Sequence, residues 1–303
     1  MPSSIGGATA AYTGVVARIR TTTANWAQGA KLQQIGADFD ALLAGPEPAL
    51  VTPTTLAGLP AITARPATLH DDAVVLFLHG GGFQIGSLAS HRSLMSRLAH
   101  QAGVAVTGIA YRLAPEHRFP AAIDDCVAAY RELCRQNPGR RVIIAGDSAG
   151  GHLALDLALK ARDLGLPRAS GVVLISPWLD LALRGDSYVT RAEMDIFSKP
   201  AQLKAMARTY LGRDIDRASL PVSPLDASLA DLPPIHIQAG DADITCDDAI
   251  TLHARATAAG VACELRLWPG MFHHFQVFAE LPEADRSLAE IATFVAAAGT
   301  ATP

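Results

Sequence analysis

Gly146-Asp147-Ser148-Ala149-Gly150 sets a serine between two glycines, each two residues away. A serine oxygen attacks a carbonyl only if it stands clear of the chain and meets a base. Glycines at these two positions relieve the crowding of a turn sharp enough to expose it. Arg141 to Ala145 reads as a short strand before the turn, and His152 to Leu164 as a helix after it, ending at Gly165. Such a helix aims free N–H groups and its positive dipole end at the serine. The pentapeptide alone is a weak signal, and a glycine-rich strand end can serve packing only. The strand–turn–helix setting gives it weight.

His79-Gly80-Gly81-Gly82-Phe83 directly follows Val74-Val75-Leu76-Phe77-Leu78, an apolar run of buried-strand length. Attack on a carbonyl creates an oxyanion, which needs preorganised donors at about 2.7–3.1 Å. Consecutive glycines offer backbone N–H groups with no Cβ in the way. The N–H of Ala149, just after the serine, adds another donor. A phosphate cradle is the competing reading, but the run lacks the Lys and Ser/Thr of a P-loop.

The serine needs a base and the base an orienting acid, which follow a serine on such an elbow in the order acid, then histidine. Of ten histidines, His273 and His274 are the two in the loop after the last strand. His70, His91, His100 and His117 precede the serine; His152 opens a helix, His236 sits in a strand and His253 in a helix. The acid belongs after the strand Ile235 to Ala239, where Gly240-Asp241-Ala242-Asp243-Ile244-Thr245 offers two aspartates. Spacing does not choose between Asp241 and Asp243. Asp247 and Asp248 read as helix-start carboxylates favoured by the dipole.

Strands and helices alternate around these motifs, which implies crossover connections and an α/β fold with a mainly parallel central sheet flanked by helices. Residues 180–230 break the rhythm, and residues 1–45 read as helices ending at Gly45-Pro46. The expected organisation is a catalytic domain, 46–179 with 231–303, covered by a helical cap built from 1–45 and the insertion 180–230. Ligands of open parallel sheets bind at the carboxyl ends of the strands, beneath such a cap.

Composition narrows the partners. Of 303 residues, 50% are hydrophobic and 18% charged, and the net charge is −4 with no basic run. Nucleic acid and a polybasic membrane contact are thereby excluded, leaving neutral or weakly charged small molecules. No 18 apolar residues run uninterrupted and the start lacks a basic-then-apolar order, so a cytoplasmic protein is expected. Cys126, Cys134, Cys246 and Cys263 show no metal-ligand spacing, and no metal or cofactor is expected.

Beyond these readings, the chain resembles the hormone-sensitive-lipase-like, or family IV, bacterial esterases over about residues 74–280. The carriers are His79-Gly80-Gly81-Gly82, Gly146-Asp147-Ser148-Ala149-Gly150-Gly151, the stretch from Tyr111 to Asp125, and the blocks from Asp241 to Asp248 and Trp268 to Phe275. The resemblance implies an α/β-hydrolase fold, Ser148 as nucleophile, Asp243 as acid, His273 as base, and Gly81, Gly82 and Ala149 as oxyanion donors. It also implies hydrolysis of small to medium apolar carboxylic esters through an acyl-enzyme. Lactone hydrolysis, amide hydrolysis and a non-catalytic small-molecule receptor are the alternatives, and a homodimer is allowed. Two departures stand out: His274 occupies a place where the family often has glycine, and Ile244-Thr245 follow Asp243 where Pro-Leu is common.

Overall fold

The computed structural model describes residues 9–27, 29–219 and 222–299. In chain order the elements are α1 (Ala10–Ala27), α2 (Leu32–Leu42), β1 (Leu50–Leu56), β2 (Leu59–Arg65), β3 (Ala73–Leu78), α3 (Arg92–Ala102), β4 (Ala105–Ile109), α4 (Ala121–Gln136) and β5 (Arg141–Asp147). They continue with α5 (Ala149–Asp163), β6 (Gly171–Ile175), α6 (Ser187–Thr190), α7 (Pro200–Leu211), β7 (Ile235–Gly240), α8 (Cys246–Ala258), β8 (Cys263–Trp268) and α9 (Pro282–Ala297).

The strands form one eight-stranded sheet in the order β1-β2-β4-β3-β5-β6-β7-β8. β1 pairs antiparallel with β2 and β2 with β4, and every later pairing is parallel. All six residues of β3 are buried, as an unbroken apolar run between two helical layers requires. Val74, Leu76 and Leu78 enter the core on one face, with Tyr130, Leu155 and Trp178. Val75 and Phe77 enter the other, with Ile19, Phe39, Leu94 and Ile291. Cutting such a buried Leu or Phe back to alanine costs about 2–5 kcal/mol. β8 closes the sheet, and its burial alternates along the chain as befits an edge strand.

The strands expected at 74–78, 141–145 and 235–239 and the helix expected at 152–164 are present, with ends shifted by at most three residues. An addition to the expected strands is the antiparallel hairpin β1–β2. Pro53 and Pro60 weaken a strand reading, yet Pro53 lies on the edge strand β1, where a missing N–H matters least. Ala57 (φ 52°) and Gly58 (φ 80°) form the two-residue turn. Helix α4 starts at Ala121, with Pro120 at its N-cap. Between residues 180 and 230 the described part holds α6, α7 and a short 3-10 turn, Pro224–Asp226, but no strand. Pro221 lies outside the described residues. All four cysteines are free, Cys126 fully buried in the core. Among the described residues no helix is long and apolar enough to cross a membrane.

Candidate active site

The carboxyl ends of β5, β7 and β8 carry the three groups singled out in the sequence. Ser148 sits between β5 and α5 with φ 53° and ψ −119°, a conformation that costs a non-glycine residue about 1–3 kcal/mol. A Cβ at Gly146 would run into the carbonyl of Gly150, and one at Gly150 into the carbonyl of Leu78. Backbone bonds hold the turn from both sides: Ser148 N–H donates to Ile175 O at 2.9 Å, and Ser148 O accepts from His152 and Trp178 N–H at 3.1 Å. Helix α5 begins at Ala149, three residues earlier than expected, so its N-terminus opens directly behind the serine.

His273 Nε2 lies 2.8 Å from Ser148 Oγ. Its Nδ1 lies 3.0 and 3.1 Å from the two carboxylate oxygens of Asp243. Thr245 donates both its N–H (2.7 Å) and its hydroxyl (2.9 Å) to Asp243 Oδ1. Asp241, the other aspartate of that loop, accepts Gly270 N–H at 2.7 Å and so fastens the turn that precedes His273. Spacing had left the two aspartates open; their contacts separate them.

Burial disfavours a charged His273, but the charge and hydrogen bond of Asp243, then Asp195 and Asp147, outweigh it and push the pKa up to about 9. Against its own burial, Asp243 is held below the usual carboxylate range by His273 and the Thr245 N–H. A hydroxyl bonded to an imidazole whose far nitrogen faces a carboxylate can give up its proton during attack.

Facing the serine, Gly80 N–H is taken by Asp147 Oδ1 at 2.9 Å. Among the described residues no acceptor engages the N–H groups of Gly81, Gly82 or Ala149. Gly81 and Gly82 have φ of 118° and 62°, and a Cβ on them would strike Ile85 O and Met206 Sδ respectively. The stretch from Tyr111 to Asp125 supports this loop from behind. Tyr111 donates its hydroxyl to His79 O at 2.6 Å, and Ala114 N–H donates to Phe83 O at 2.8 Å. Arg112 Nε and N–H hold Asp125 at 2.9–3.0 Å, which ties the stretch to α4.

Several contributors were invisible in the sequence. Asp195, in the irregular block, is buried against Asp243 and His273. It accepts N–H from Phe197 (2.8 Å), Ser198 (3.1 Å) and Ile244 (3.0 Å). His91, set aside because it precedes the serine, meets Asp147 at 3.1 Å. Asp248 does more than start a helix: it accepts Leu179 and Asp180 N–H and the Tyr188 hydroxyl, all within 2.7–2.9 Å. No local pattern marks these residues; long-range contact alone gives them their role.

Among the described residues, two groups of side chains have the types and closeness to hold a cation, His91–Asp147–His274 and Asp195–Asp243–His273. In both, the carboxylates already accept ring and backbone N–H groups, so hydrogen bonding accounts for the clustering.

A cavity of about 30 Å³ touches Ser148, Gly81, Gly82 and His273. Beyond it lies a larger one of about 770 Å³ between α1, α2 and α7. Trp26, Phe197, Gln202 and Met206 line both and form the partition.

With this geometry in place, known proteins supply the class. Residues 75–277 match the family model described as alpha/beta hydrolase fold. An acetyl-hydrolase of Streptomyces hygroscopicus is 42% identical over 233 residues, covering 76% of this chain and 77% of the relative. An ethyl acetate hydrolase of Pseudomonas putida is 36% identical over 226 residues, covering 71% and 70%. A crystal structure of an esterase from the bacterial hormone-sensitive lipase family superposes with a TM-score of 0.91 at 35% identity, covering 96% of this chain and 99% of that one. The chain belongs to the alpha/beta hydrolase family and, within it, to the hormone-sensitive-lipase-like carboxylesterases.

Proposed function

We propose that this chain hydrolyses small carboxylic esters with short acyl groups, with Ser148, His273 and Asp243 as its triad. Ser148 Oγ attacks the ester carbonyl while its proton passes to His273 Nε2. Asp243 accepts the Nδ1 hydrogen and stabilises the imidazolium. The negative oxygen is received by the N–H groups of Gly81, Gly82 and Ala149. Collapse expels the alcohol, protonated by His273; water then releases the acid by the reverse proton path. The observation that carries this is the 2.8 Å bond from Ser148 Oγ to His273 Nε2, opposite three unengaged N–H groups.

The size preference rests on the two cavities. The space against Ser148, about 30 Å³, suits an acyl group of a few atoms, whereas the 770 Å³ space beyond accepts the alcohol part. The acetyl-hydrolase and ethyl acetate hydrolase relatives point the same way. In this reading the segments 1–45 and 180–230 act as the cap over the catalytic domain, 46–179 with 231–303; of these, residues 1–8, 28, 220, 221 and 300–303 lie outside the described part. Four free cysteines fit work in a reducing compartment such as the cytoplasm.

An ester panel graded by acyl length, run on wild type and on Ser148→Ala, tests both statements. Turnover in the variant should fall on the order of 10⁶-fold with thermal unfolding unchanged. Wild-type rates should drop steadily from acetate to octanoate. Undiminished turnover in the variant sinks the mechanism, and a flat acyl profile sinks the size reading.

A further inference from the structure

Position 274 holds a histidine in a backbone conformation that suits glycine, with φ 39° and ψ 42°. A β-carbon is disfavoured there unless the side chain makes specific contacts that offset the strain. His274 makes three. Its Nδ1 lies 3.1 Å from Asp147 Oδ2. Its ring stacks on Phe39 at 6.2 Å and meets Phe197 edge-on at 4.4 Å.

Burial, with the neighbouring His273, lowers the His274 pKa to about 4. The ring is therefore neutral near pH 7, and Nδ1 carries the hydrogen that the Asp147 carboxylate accepts. The same carboxylate accepts Gly80 N–H at 2.9 Å on Oδ1 and faces His91 Nε2 at 3.2 Å on Oδ2. Three chain segments besides its own thus converge on one buried carboxylate. Asp147 precedes Ser148, Gly80 precedes Gly81, and His274 follows His273.

We propose that His274 is a positioning residue for ester hydrolysis: through Asp147 it fixes the loop bearing His273 to the turn bearing Ser148 and the loop bearing Gly81 and Gly82. The inference rests on the roles assigned above to Ser148, His273 and these glycines. With the His274 bond gone, the imidazole keeps its contact with Asp243 but loses its fixed distance to the serine. Misplacement on this scale lowers the chemical step without weakening substrate binding.

Three variants, assayed beside Ser148→Ala, test it. His274→Phe keeps an aromatic ring but no N–H; His274→Gly suits the backbone and removes the contact; His274→Asn puts an amide N–H where Nδ1 stood. The Phe and Gly variants should lose about 10- to 100-fold in kcat with KM held within about twofold. His274→Asn should recover most of that loss, and fluorophosphonate labelling of Ser148 should slow and recover in parallel. Should His274→Phe not fold, His274→Gly carries the same prediction. Wild-type kcat in the Gly variant, or an Asn variant as slow as the Gly variant at equal thermal stability, overturns the proposal. Ester turnover persisting in Ser148→Ala would instead show that the underlying mechanism is wrong, whatever position 274 does.

Discussion

Two adjacent histidines, each buried and each against an aspartate, end in opposite electrostatic states. His273 faces two carboxylates, Asp243 and Asp195, with Asp147 further off, and its pKa rises to about 9. His274 faces one carboxylate, Asp147, which it shares with His91, and its pKa falls to about 4. Burial disfavours the charged form of both rings. The balance of carboxylates and imidazoles decides the outcome: one ring is pushed toward its charged form, the other is kept as a neutral donor. The sharing is visible from the acid side as well. Against its own burial, Asp147 is held far below the usual carboxylate range by the two rings, while burial and Asp243 push Asp195 up to about 6.

The largest test of this contrast removes Asp243, the carboxylate against His273 Nδ1 and the orienting acid of the proposed mechanism. Asp243→Asn leaves the shape of the loop but reverses the hydrogen-bond partner of Nδ1, so kcat should fall about 10⁴-fold. Steady-state kinetics would read it, and a loss under tenfold would mean that Asp195 suffices as the acid.

A middle-sized effect is expected in the second cluster. In Asp147→Asn one amide N–H must face a ring or backbone N–H, leaving a buried donor unmet at about 1–3 kcal/mol. The native carboxylate has a depressed pKa, so its contribution is complete above the unfolded value near 3.9 and fades as pH falls below it. The urea-unfolding gap between wild type and variant should therefore be full at pH 7 and begin to narrow as pH falls below about 4. A gap that widens in acid would contradict the assigned sign.

The smallest change tests the extra carboxylate behind the base. In the proposed mechanism His273 must be neutral to accept the Ser148 proton, so kcat/KM should rise with pH along a limb lying above the ordinary histidine value of about 6.5. Asp195 is ionised throughout that limb, because its own pKa lies near 6. With Asp243, Asp147 and His274 left in place, Asp195→Asn removes one stabilising charge and the limb should move to lower pH. A pH–rate profile whose limb stays put or moves upward would remove Asp195 from the account.

The same contrast marks where sequence reading stops. Ser148 and the glycines around it were legible because a sharp exposed turn and a Cβ-free loop demand particular residues at fixed short spacing. The parallel strands were legible because a strand buried on both faces must be apolar throughout, as β3 is. His273 and His274 were confined to one loop by chain order. Neither composition nor spacing could separate them, and resemblance alone favoured the first.

What the tertiary structure decided is which charges face one another. Asp195, His91 and Asp147 come from segments 49 to 127 residues away from their partners, and nothing local in their sequence announces the pairing. The stretch from Tyr111 to Asp125 carried resemblance without a legible role until Tyr111 and Ala114 were seen to hold the glycine loop. Chain-local sterics fix where a nucleophile can stand, and the sequence records them. The proton affinity of the group beside it depends on charges brought near by folding, and only the packed chain determines those.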